Sequence, residues 1–146
     1  MKLKFIFLGK KGSLSFNSII NKYIKRLGQY AKSEYVFFND KDSRKIEKKI
    51  LGTITPQEYL IVLDESGNLL STLKFTQFLE QKTMSCNSII FVVGGAYGVP
   101  KNIINKSNYL LSFSKMTLPH MIARLILVEQ TYRAFTILHH HPYHHE

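Results

Sequence analysis

Acidic residues are scarce: 10 Asp and Glu stand against 20 Lys and Arg in 146 residues, a formal net charge of +10. So basic a small chain suits a polyanionic partner, nucleic acid above all, although a basic enzyme without one stays open. Cysteine is nearly absent. The lone Cys86 excludes an internal disulfide and fits a reducing cytoplasm, and with no activating group near it in sequence it reads as a buried, inert thiol. Long apolar runs are missing too. None approaches the ~20 residues that cross a bilayer, and Phe5–Leu8 is too short for the apolar part of a signal peptide. A cytoplasmic protein with no membrane attachment is expected. Neither the GxGxxG fingerprint nor a P-loop occurs, and the histidines of the tail have no cysteine partners for a zinc site, so no metal is required. With no repeat, low-complexity segment or linker, residues 1–146 read as one domain.

What is present alternates regularly. KLKFIFL (2–8) predicts a strand ended by Gly9. Ser13 or Ser15 caps a helix on which Phe16, Ile19, Ile20, Tyr23, Ile24 and Leu27 share a face. Lys22, Lys25 and Arg26 take the other face and are candidates for contacting RNA phosphates; plain solvation is the alternative. SEYVFF (33–38) is a second strand, and Ser43 then caps a short charged helix stopped by Gly52. Tyr59–Leu63 reads as a buried strand, Asp64–Gly67 as a turn, and 71–82 as a helix with Leu73, Phe75, Phe78 and Leu79 turned inward. SIIFVV (88–93), a short helix over 99–107, a strand over 108–113 and a helix from Thr117 to Phe135 complete the chain. Five strand–helix pairs predict an α/β fold: a mainly parallel sheet flanked by helices.

Ligands of such sheets bind beyond the carboxyl ends of the strands. Three exits stand out there: Asp64–Gly67, Gly94–Gly98 and Ser112–Thr117. Glycine lets backbone approach a ligand closely, and the third loop is rich in hydroxyls and backbone donors. Together they predict one small-molecule pocket. On the last helix Leu118, Met121, Ile122, Leu125, Ile126, Tyr132 and Phe135 form an apolar stripe. Glu129 precedes Arg133 by four residues, the favourable order for an ion pair, either structural or part of a site. Residues 139–146 hold five of the six histidines in a tail that reads as reaching back over the pocket.

VVGGAYG, then LSFSKMTLPHMIARLILVEQTYRAF, then PYH closely resemble the ribosomal RNA large subunit methyltransferase H family, of the SPOUT class. KLKFIFLGK and YIKRLGQYAK fit the same pattern, so the resemblance spans essentially the whole chain, with a shorter segment after the second strand. It implies a deep C-terminal trefoil knot, which general topology rules would not suggest. It also implies a homodimer that uses S-adenosyl-L-methionine to methylate N3 of a pseudouridine in 23S rRNA. The substrate would be the assembled 70S ribosome.

By the same resemblance, Leu63, Gly94, Phe113, Ser114, Lys115, Met116, Thr117 and Leu118 hold the cofactor. His144 is the first candidate base, Tyr143 positions or stacks on the target, and Arg133 and Glu129 hold the loop or tail. Where relatives often carry a terminal arginine, this chain has His145. Two further readings compete: a SPOUT enzyme acting on tRNA, and a non-catalytic RNA- or ribosome-binding module.

Overall fold

β4 (Ser88–Val93, SIIFVV) is buried at all six positions, as befits a central parallel strand covered on both faces. The computed structural model describes residues 1–145; Glu146 of the tail lies outside them. Around β4 run β1 (Lys2–Leu8), β2 (Lys32–Phe38), β3 (Tyr59–Leu69) and β5 (Tyr109–Ser112), in the order β2-β1-β4-β3-β5, all parallel. The helices are α1 (Leu14–Leu27), α2 (Ser43–Leu51), α3 (Thr72–Ser85), α4 (Lys101–Lys106) and α5 (His120–Leu138). None is long and apolar enough to cross a membrane.

The period-two alternation of β1 builds both layers. Leu3, Phe5 and Phe7 join a core with Ile20, Ile24 and Leu27 of α1, Phe75 and Leu79 of α3, and Leu127, Val128, Tyr132 and Phe135 of α5. Ile6 and Leu8 face the other way, into a smaller core with Ile46 and Ile50 of α2 and Ile103 of α4. Phe5 stacks on Phe91 of β4 at 5.0 Å between centroids. α5 follows the edge strand β5 yet packs on α1 and α3, so the chain end crosses back over the sheet.

Several local expectations change. Asp42, not Ser43, caps α2 by accepting from the Arg44 amide at 2.9 Å; a carboxylate reaches that amide from outside the helix. Asp64–Gly67 is no simple turn. Leu63 and Asn68 both register with Leu111, so the four residues between bulge out and β3 resumes to Leu69. A Cβ on Gly67 would come within 2.7 Å of the Leu110 carbonyl carbon, so only glycine brings the strands back together. Leu73 is 44 % exposed rather than inward, because Phe75 and Leu79 already fill the α3 contact. Cys86 ends α3 and is only half-buried. α5 starts three residues later than expected and runs three residues further.

Candidate active site

The three predicted exits converge. Leu63–Ser66, Val93–Val99 and Leu111–Leu118 supply most of the wall of a cavity of about 660 Å³ at the carboxyl ends of β3, β4 and β5. That volume suits a cofactor-sized molecule. Gly94 sits in a close turn: a Cβ there would meet the Gly98 carbonyl carbon at 2.8 Å. The loop closes through Gly98 N–H donating to the Gly95 carbonyl at 3.0 Å. The serine loop is braced from within. The Ser112 hydroxyl donates to the Ser114 carbonyl at 2.9 Å, and the Ser114 hydroxyl accepts from the Met116 amide at 2.9 Å. Its hydroxyls therefore shape the loop.

Of the residues that resemblance assigned to the cofactor, Leu63, Gly94, Phe113, Ser114, Met116, Thr117 and Leu118 line this cavity. Lys115 is exposed and outside the lining. The wall is chemically mixed. Leu63, Val93, Leu111, Phe113 and Leu118 are apolar, while Asp64 and Glu65 stand in the β3 bulge. Apolar walls with nearby backbone suit an adenine ring, and carboxylates suit a sulfonium or ammonium group, so the residues fit S-adenosylmethionine.

Sequence reasoning missed His120 and Ala123, which complete the wall from the first turn of α5. Their spacing of three on one helix was the available signal. Burial, then the nearby Arg124 charge, pushes the His120 imidazole below its ordinary pKa, which favours its neutral form. Arg124 was missed as well. It is 1 % exposed and donates to the Leu8 carbonyl at 2.8 Å and the Lys10 carbonyl at 3.0 Å, under the rings of Phe7 and Phe37. It fastens α5 to the end of β1, beside the glycine loop. A second cavity of about 420 Å³, between α3 and α5, shares Leu111, Phe113, Ser114 and Leu118 with the first.

The tail forms a separate cluster. His140 takes a left-handed φ of 56°, and the His141 amide closes back on the Thr136 carbonyl at 2.9 Å. The chain thus reverses along α5. Tyr143 donates to Glu129 Oε1 at 3.0 Å and shares a 3.1 Å hydroxyl contact with Tyr23 of α1. Arg133 gives Nε and Nη2 to the same Glu129 oxygen at 3.0 and 2.6 Å, stacks over the Tyr143 ring at 4.8 Å, and meets His144 Nδ1 at 3.0 Å. The hydrogen bond to Glu129 raises the Arg133 pKa. Burial, then the contacts with Tyr23 and Glu129, lifts Tyr143 well above the ordinary phenol range.

Tyr23 is a further member that helical spacing had marked only as core. The predicted RNA contacts Lys22, Lys25 and Arg26 are exposed around it on α1. No residue of 139–145 lines the cavity. Glu129, where the tail is anchored, lies about 14 Å along α5 from His120, at ~1.5 Å per residue. Within one chain, then, the described residues of the tail stand apart from the pocket wall. Among the described residues no cluster of His, Cys, Asp and Glu suits a metal ion.

Comparison with known proteins agrees with this architecture. A family model described as predicted SPOUT methyltransferase matches residues 1–144. Among solved structures, a probable methylase family protein from Haemophilus influenzae Rd KW20 is similar with a TM-score of 0.57 at 11 % identity. The match covers 99 % of this chain and 70 % of that one, a likeness of fold.

Proposed function

The chain belongs to the SPOUT methyltransferase family, which implies S-adenosylmethionine-dependent methylation, and from that premise we propose that it methylates N3 of a pseudouridine in 23S rRNA. The substrate is the assembled 70S ribosome, and the working form is a cytoplasmic homodimer with a C-terminal trefoil knot. The observation that carries this reading is the pairing of two built sites: a cofactor-sized cavity at the strand ends, and an ordered Tyr143–His144 tail anchored on α1 and α5. The net charge of +10 supports an RNA partner, with Lys22, Lys25 and Arg26 beside the tail. The return of α5 across the sheet is the kind of path a knot requires.

The homodimer reconciles the two sites. Met121, Ile122, Leu125 and Ile126 of the predicted stripe are only half-buried, because the core takes Leu127, Val128, Tyr132 and Phe135 instead. An apolar face left in this state suits a second copy. A partner's tail then serves the cavity that a chain's own tail does not reach.

When bound, S-adenosylmethionine supplies an electrophilic methyl group. Leu63, Gly94 and the loop Phe113–Leu118 would hold it, with Lys115 at the rim. Asp64 and Glu65 favour its positive charge. The protein's task is chiefly alignment of the reactants. Tyr143 and His144 contact the target nucleotide, and Glu129 and Arg133 hold them in place. Intact ribosomes incubated with labelled S-adenosylmethionine should take one methyl at one pseudouridine. Label in tRNA instead, or in no RNA, would overturn the assignment.

A further inference from the structure

His144 offers its target a proton donor, not a base. We infer that it binds through Nε2–H and stabilises the anion of the target base; this rests on the reading that the tail meets that nucleotide. A guanidinium has donors only and stays charged at any ordinary pH. The 3.0 Å contact between Arg133 Nη1 and His144 Nδ1 therefore has Nδ1 as its acceptor. A neutral imidazole carries one proton, so that proton sits on Nε2. Protonating Nδ1 would set two donors and two cations against each other.

Among the described residues, the carboxylate of the cluster is already occupied by donors. Glu129 Oε1 already accepts from Arg133 Nε, Arg133 Nη2 and the Tyr143 hydroxyl, and its Oε2 accepts from Gln130 Nε2 at 2.8 Å. The Tyr143 hydroxyl lies between that carboxylate and the Tyr23 hydroxyl. Among the described residues around His144, the Glu129 carboxylate is engaged by Arg133, Tyr143 and Gln130, and Arg133 presents a charged donor. Such surroundings favour an anion.

The imino proton of pseudouridine N3 lies between two carbonyls. Its loss leaves a negative charge shared with both oxygens, where Nε2–H can donate. The proton passes to water or hydroxide. The N3 lone pair then forms the bond to the methyl carbon as the sulfur–methyl bond breaks, its electrons staying on sulfur. His144 neither gains nor loses a proton.

Nitrogen-15 NMR of the protein alone should show Nδ1 of His144 bare and Nε2 protonated in its neutral form. A proton on Nδ1 overturns the inference whatever the substrate. With ribosomes and labelled cofactor, His144→Gln keeps an amide donor and should stay within about tenfold of wild type. His144→Ala should lose about a hundredfold or more, the scale of a lost anion-stabilising donor. Wild type and His144→Gln should share one pH–rate profile, rising with ionisation of the substrate. An acid limb present in wild type and absent from His144→Gln would make His144 the base. If ribosomes accept no methyl from wild type, the donor role fails together with the proposed substrate, while the nitrogen-15 spectrum still decides the tautomer.

Discussion

A half-buried imidazole beside the buried Arg124 guanidinium makes His120 a pH-sensitive part of the cavity wall. Its folded pKa is depressed, so the native state prefers the neutral ring. Below about pH 6.5 the unfolded chain binds the extra proton more readily, and stability falls as pH drops through that window. His120→Gln should flatten this acid-side loss in a series of melting curves. An unchanged slope would mean that other groups govern it. Neither the site nor the sign of this effect could be read from the sequence, where His120 is one polar residue at a helix start. Its neighbour Arg124 shows the same limit. A charged residue in an apolar helix reads as solvent-facing, whereas here two strand-end carbonyls and two aromatic rings bury it.

Among the elements, α1 and α5 matter most because together they hold the tail. The Tyr23 hydroxyl is the link that sequence spacing could not supply, since its partner Tyr143 is 120 residues away. Tyr23→Phe keeps the ring packing on Tyr132 and removes only the hydroxyl contact. The expected cost is about 1 kcal/mol by urea titration, the net worth of a typical hydrogen bond. Hydrogen exchange over 139–145 should quicken selectively. Equal quickening along α1 would show that the whole helix had loosened instead. The glycine loop behaves as an element of its own. Gly94→Val places side-chain carbon against the Gly98 backbone and should abolish cofactor binding by calorimetry while leaving the tail cluster intact. The tight turn was legible beforehand from a glycine pair ending a buried strand, whereas a part in holding the cofactor came only from the resemblance.

For the molecule as a whole, separation of cavity and tail is the governing fact. If each tail serves the partner's cavity, a Gly94→Val chain and a chain lacking residues 142–146 are each inactive alone. Mixed and reassembled, they should recover up to about a quarter of wild-type methyl transfer, since half the dimers are mixed and each keeps one complete site. No recovery would place the tail in its own chain's service. The basic surface belongs to this level too. Lys25→Glu with Arg26→Glu should weaken ribosome binding and flatten its dependence on salt, with cofactor affinity unchanged. Parallel loss of cofactor affinity would show the patch to be structural.

The alternation of five strands with helices, their parallel pairing, and the convergence of the glycine turn and serine loop at one end all follow from periodicity and from where glycines and hydroxyls fall. These are local properties, written within a few residues of each other. The bulge in β3, the burial of Arg124 and the Tyr23–Tyr143–Glu129–Arg133 cluster join residues from distant parts of the chain. Only packing decides such contacts, because the desolvation and hydrogen bonding that set them exist only once the sheet has brought its helices together.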